Sequence, residues 1–245
     1  MAKDHSKSDI ERSSKGKKIS ENVIIYVEGK NTEPDYLNLL KSNCLVKPIV
    51  KKGGGIGNCM DFVEDVDKAY QSLKRSLKEK YKQKWMMFDY DGHADFKDAV
   101  KEARKRGFKV AFSSMCIEYW FMLHFYKHDG SAIPMKGVSH SQAQIDQINN
   151  FITKYNKKTK KSLAPYNVDS KNVEDDFMDL MLSVDPNTKH RRIENAFERA
   201  KKIHESKKKK GCEFDESVTT IYELLFELGV FSYDENEKRY VFQIR

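Results

Sequence analysis

The sequence predicts an α/β fold: a parallel sheet with helices on both faces, followed by a mainly helical C-terminal region. Three observations predict it. Four short apolar runs alternate with four helical patterns over about residues 21 to 130, the signature of strand–helix units. Two of those runs, VIIYV and WMMF, lead straight into carboxylates. Beyond residue 130 the strand-like runs give way to helical periods separated by polar linkers.

Residues 1–20 contain almost no large apolar side chains and read as a disordered basic tail. Val23 to Val27 is continuous and rich in β-branched residues, as a strand buried on both faces should be. Thr32 then serves as the expected N-cap of a helix with Pro34 in its first turn and Tyr36, Leu37 and Leu40 on its inner face. The second strand is expected at 45–50, where Pro48 suits a sheet edge. KKGGGIGN follows as a loop; it lacks the Lys-Ser/Thr of a nucleotide-binding loop. Apolar residues at helical spacing from Phe62 to Leu77 predict one long helix over about 59–80.

The third strand is expected at 84–89, with a helix over 94–106 ended by Gly107 in a left-handed conformation. The fourth lies at 109–113, and Ser113 or Ser114 is the expected cap of the helix through MCIEYWFMLHFY. Helical periods follow at 141–156, 171–182, 189–206 and 215–228, and the chain closes on a candidate hairpin of VFSYDENEK with RYVFQIR. The organisation read is a tail (1–20), an α/β core (21–130) and a helical extension with a terminal strand (131–245).

Composition narrows the function. The chain has 245 residues, 33% of them charged, and a net charge of +8, which favours anionic partners, nucleic acid above all. No apolar run reaches the roughly 18 residues of a membrane span, and no apolar stretch of a secretory leader stands at the N-terminus. Four scattered cysteines without CxxC spacing fit a reducing, cytoplasmic location.

In open parallel sheets, function gathers at the carboxyl ends of the strands. Glu28 ends the first strand there, and Asp89 and Asp91 end the third. Strand alternation would put Asp89 and Asp91 on one side and Tyr90 on the other. Three such carboxylates repel one another unless a cation intervenes, and an oxygen donor set favours Mg²⁺ or Mn²⁺. Solvated strand-end carboxylates are the bland reading. Gly29 gives the backbone room where a phosphate could approach.

The ordered segments VEGKNTEPDY, MMFDYDGH and FSSMCIEYWFMLHF resemble the RloB-like family of phage-defence proteins, over about residues 23–126. The match departs mildly: Ile117 precedes Glu118-Tyr119-Trp120 where the family usually has Phe, and Ser114 is followed by Met115 rather than Asn-Pro. A glutamate followed by a DxD pair is also similar to the wider TOPRIM fold, a Rossmann-like parallel sheet. The resemblance implies a metal-dependent nuclease with Glu28, Asp89 and Asp91 at the metal, and an AAA-type ATPase as partner. A homo-oligomer is compatible with it. Two other classes stay open: a catalytically silent nucleic-acid-binding sensor or adaptor, and a topoisomerase- or primase-like activity.

Other residues carry two readings each. Glu118 is a fourth site carboxylate, as the family motif implies, or a buried structural glutamate. His93 is a proton donor to a leaving oxygen or an ordinary loop histidine. His124 reads as a hydrogen-bonded core histidine; it shares i,i+4 spacing with His128, without the further ligands a zinc site needs. Glu33 is in the family motif and otherwise a first-turn acid favoured by the helix dipole. Lys30, Lys157, Lys158, Lys160, Lys161, Arg191 and Arg192 are candidate phosphate contacts, with Tyr155 and Tyr166 as stacking partners, or else parts of solvated helix ends.

Overall fold

The computed structural model describes residues 22–52, 57–134, 139, 141–167 and 173–244. The expected tail at 1–20 and the glycine run at 53–56 lie outside the described residues. Four strands, β1 (Asn22–Val27), β2 (Pro48–Lys52), β3 (Tyr81–Asp89) and β4 (Lys109–Ser113), form one sheet in the order β2-β1-β3-β4. Every pairing is parallel, so the predicted α/β class and the adjacency of the first and third strands hold. Pro48 opens an edge strand, where its missing N–H costs no ladder bond.

Alternation along the strands splits the core into two layers. Val23, Ile25, Val27, Trp85, Met87 and Ala111 face α1 (Thr32–Leu39) and α5 (Ile117–Phe125). Ile24, Tyr26, Met86, Phe88, Val110 and Phe112 face α2 (Cys59–Gln71) and α4 (Phe96–Lys105). Both faces are covered, which is why the strands read as unbroken apolar runs. The chain leaves β1 over one face towards β2 and leaves β3 over the other towards β4. The carboxyl ends of β1 and β3 therefore flank the switch point where such sheets open a crevice.

The single helix expected over 59–80 is two: α2, and a short α3 (Arg75–Lys78). Burial thins along the apolar stripe: Tyr70 and Leu73 are only partly buried against the core, and Ala69 and Leu77 are exposed. Ser72 Oγ donates to Ala69 O at 2.7 Å and Lys78 Nζ to Gln71 O at 2.8 Å, taking up carbonyls at the helix end. Gly107 ends α4 as expected, at φ 78°.

Neither Ser113 nor Ser114 caps α5, whose N-cap is Cys116. Ser113 belongs to β4, and both serines face the segment 217–220. Ser113 Oγ donates to Thr219 Oγ1 at 3.0 Å, and Val218 N donates to Ser114 Oγ at 2.8 Å. With Ser114 N to Val218 O and Thr220 N to Phe112 O, both 2.8 Å, this segment covers the outer edge of β4.

The C-terminal region consists of α6 (Gln142–Thr159), α7 (Asp175–Leu182), α8 (Arg192–Lys209), α9 (Ile221–Glu227) and the antiparallel hairpin β5 (Phe231–Asp234)–β6 (Arg239–Phe242). Of these, α6, α7 and α8 pack around α5, all nine of whose residues are buried. One apolar core runs from Val23 to Phe242. A helix sheathed on every side has no polar face, as IEYWFMLHF shows.

Candidate active site at the carboxyl end of the sheet

A cavity of about 640 Å³ opens at the switch point, walled by Glu28, Glu33, Asp89, Asp91, His93 and Glu118, with Lys30 exposed beside them. Glu28 is the first residue past β1. Its N–H donates to Met87 O at 3.0 Å, and its Oε2 accepts from Asp89 N at 3.4 Å. Asp89, the last residue of β3, is buried and accepts at Oδ1 from Ser113 N at 3.2 Å. Each strand-end carboxylate thus ties its strand to the next.

Asp91 reaches the same cavity by a different route from strand alternation. β3 stops at Asp89, and Asp91 sits in the left-handed region at φ 41°. Its N–H donates to Met115 O at 3.3 Å, and the turn closes with His93 N to Tyr90 O at 2.8 Å. A non-glycine residue at positive φ is uncommon; here it aims the second acid of the DxD pair at the cavity.

Glu33 is the residue that sequence reasoning missed as a cavity acid. It lies in the first turn of α1 and is buried. A Cβ on Gly29 would stand 1.8 Å from its Oε2. The Glu33 carboxylate thus occupies the space beside Gly29, the room expected for an approaching phosphate. A glycine four residues before a glutamate at a helix start is the signal that could have found it.

Glu118, in the first turn of α5, is buried and accepts from Tyr166 OH at 3.1 Å. It both lines the cavity and is anchored structurally. Tyr166 is buried in the core, which corrects its reading as a base-stacking residue.

Burial and mutual repulsion dominate the electrostatics of Glu28, Glu33 and Asp89. Burial raises Glu28, opposed by its bond from the Asp89 N–H. Burial and then the charges of Glu118, Glu28 and Asp91 push Glu33 up to about 7. Asp89 lies well above the usual carboxylate range, through burial and then Glu33, Asp91, Glu118 and Glu28. Burial also holds the Cys116 thiol well above its ordinary value, so it is no nucleophile. Among the described residues, no group of three or more His, Cys, Asp or Glu side chains is arranged to hold a metal ion. The donor chemistry nevertheless fits a hard divalent cation: oxygen ligands whose mutual repulsion such a charge would relieve.

The other candidates fall elsewhere. His124 is wholly buried, with Nδ1 3.0 Å from Trp120 O, and burial lowers it to about 3, as befits a core histidine. α5 ends at Phe125, so His128 does not share its face; its Nδ1 lies 3.0 Å from Tyr119 OH. Arg191 and Arg192 are occupied internally. Arg191 Nη1 donates to Leu182 O at 2.8 Å, and the buried Arg192 donates to Val184 O at 2.9 Å and Ser183 Oγ at 2.6 Å. They hold the end of α7, where helix carbonyls lack partners, and are not displayed to a phosphate. Lys157, Lys158, Lys160 and Lys161 are exposed at the end of α6, with Lys160 as its left-handed cap. Half-buried Tyr155 is stacked on Phe151 at 6.1 Å.

No curated protein and no solved structure matches the chain. A family model described as RloB-like protein matches residues 23–228, which include every cavity acid and the C-terminal helices through α9. The chain belongs to the RloB-like protein family.

Proposed function

We propose that this chain is a divalent-metal-dependent nuclease that hydrolyses phosphodiesters of DNA or RNA. The observation that carries the reading is the convergence of Glu28, Glu33, Asp89, Asp91 and Glu118 on one cavity at the switch point. Burial and neighbouring acids push Glu28, Glu33 and Asp89 towards the protonated form, which suits a site completed by an outside cation.

Glu28, Asp89 and Asp91 would hold Mg²⁺ or Mn²⁺, with Glu118 beside them. When bound, the metal supplies the positive charge that phosphodiester hydrolysis needs on the attacked phosphate. The chain's own groups do the rest. His93 on the cavity wall is placed to give a proton to the leaving oxygen. Glu33, titrating at about 7, has a carboxyl suited to take a proton near neutral pH. Lys30 adds a positive charge for the phosphate to meet. Family membership supports a role as an effector in antiphage defence beside an AAA-type ATPase, and the resemblance to the TOPRIM fold agrees with the position of the acids.

The test is incubation of the purified protein with labelled DNA and RNA in Mg²⁺, Mn²⁺ or EDTA, alone and with an ATPase encoded beside it. Metal-dependent cleavage that disappears in Asp89→Asn is the expected result. No cleavage under any of these conditions would leave the silent adaptor as the better reading.

A further inference from the structure

The end of β3 divides two surfaces. Asp89 and Asp91 line the acid cavity, while Tyr90 between them lines an adjoining cleft of about 550 Å³. His93 lines both, so the two adjoin there. The cleft's size is that of a small-ligand site, and it adds the aromatic rings of Tyr90, Phe96 and Phe214 and the lysines Lys97 and Lys207. Tyr90 meets the edge of Phe96 at 5.7 Å, and half-buried Phe214 stacks on Phe112 at 5.8 Å. Arg104 Cζ lies 5.7 Å from the Phe214 ring centre, a cation beside any base stacked there. Lys97, exposed on α4, places Nζ 5.7 Å from the Phe214 ring centre, and Lys207 bonds to Glu216 O on the far wall. Asp215 and Glu216 stand exposed on that outer wall.

We propose that this cleft is a stacking subsite for one nucleotide of a single-stranded nucleic acid, next to the phosphate presented to the acid cavity. The inference rests on the nuclease reading and gives it a substrate class. Aromatic rings with flanking lysines form the stacking-and-phosphate pattern of single-strand binders. A paired base inside a duplex has no free face for such a ring, whereas an unstacked base has two. The shared wall at His93 points to the occupant: a strand whose phosphate meets the acids must place a neighbouring nucleotide nearby, and Tyr90 and Phe214 offer its base aromatic surface. Lys97 then meets the following phosphate.

The experiment measures binding of short labelled single strands and matching duplexes of DNA and RNA, by anisotropy, in Ca²⁺ to hold back cleavage. Native protein should prefer single strands. Phe214→Ala should weaken single-strand binding about 5- to 100-fold, the range of one lost base stack, and leave duplex binding as it was. Phe214→Leu fills the same packing space without a ring and should weaken it similarly, which separates lost stacking from lost packing. Lys97→Glu, on an exposed helix face, should weaken binding and lower its salt dependence. If the native protein binds single strands and all three variants bind them equally well, the cleft is not the subsite and the nuclease reading survives. If the native protein binds neither form, both ideas fall together.

Discussion

Two sets of buried acids divide this molecule. In the C-terminal region, Glu194 of α8 is buried and fully served by the chain. Its Oε2 receives Arg239 Nη2 at 2.8 Å and Arg191 N at 3.0 Å, and its Oε1 receives Phe242 N at 3.0 Å. At the sheet end, Asp89 is equally buried but receives Ser113 N, and the charges acting on it are Glu33, Asp91, Glu118 and Glu28, all acids. The first carboxylate is structural: its charge is cancelled and its lone pairs are filled. The second set is held in place by the sheet, and its members' charges raise one another's pKa. Buried charge is expensive unless paired, so an acid cluster whose members raise one another in this way is best understood through the ligand it would meet.

Substitution at the two sets should separate activity from stability. The largest effect is expected on cleavage. Glu28→Gln or Asp89→Asn keeps the shape while removing a charge, and should lower the cleavage rate by roughly 10²–10⁴-fold. The melting temperature without metal should stay level or rise. Native-like cleavage by either variant would place the chemistry elsewhere.

Glu194→Ala should do the opposite. It strands Arg239 and two backbone N–H groups, and breaking one partner of a buried pair costs about 3–5 kcal/mol. Urea denaturation should show that loss, with cleavage per folded molecule unchanged. A loss under about 1 kcal/mol would remove the contrast between the two sets.

The pH response sharpens the same comparison. Glu33 has a folded-state pKa of about 7 against an ordinary value of 4.5, and Asp89 is raised as well. Between those values the folded state binds more protons than the unfolded chain, so stability falls as pH rises from about 4.5 through 7. The metal-free protein should melt at a lower temperature at pH 8 than at pH 5, each kcal/mol being worth roughly 2–4 °C in a chain of this size. Mn²⁺ should restore more stability at pH 8 than at pH 5. A flat profile would mean that the cavity acids are neutralised without metal.

The smallest effect concerns the exposed lysines at the end of α6. Replacing Lys157, Lys158, Lys160 and Lys161 with Ala should weaken nucleic-acid binding for all sequences alike. It should also flatten the salt dependence by about 0.7–0.9 per lost phosphate contact. An unchanged slope would make those lysines a solvated helix end, leaving the positive charge beside the cavity to carry the affinity.

The sheet was legible because both of its faces are covered. VIIYV and WMMF have no polar alternation to confuse, and each ends on the acid that reports its carboxyl terminus. Glu28, Asp89 and Asp91 were legible as cavity residues for the same reason. Glu33 was not, because a glutamate in a helix's first turn has an adequate local explanation, and only the close approach to Gly29 reveals the larger one. Arg191 and Arg192 misled in the other direction. A basic run states charge and says nothing of the carbonyls waiting at the end of α7. Ser113 and Ser114 misled because Thr219 and Val218, which they meet, lie more than a hundred positions later, beyond any local pattern.

That last contact sets a clock. Ser113, which holds the Asp89 carboxylate, is itself bonded to Thr219, 106 positions downstream. At 5–20 residues per second, a ribosome needs roughly 5–20 s to cover that distance. For that interval a nascent chain carries all five cavity acids but lacks the segment that closes the sheet edge beside them. The pocket therefore takes its finished form late in synthesis, a useful delay for a protein proposed to hydrolyse DNA or RNA.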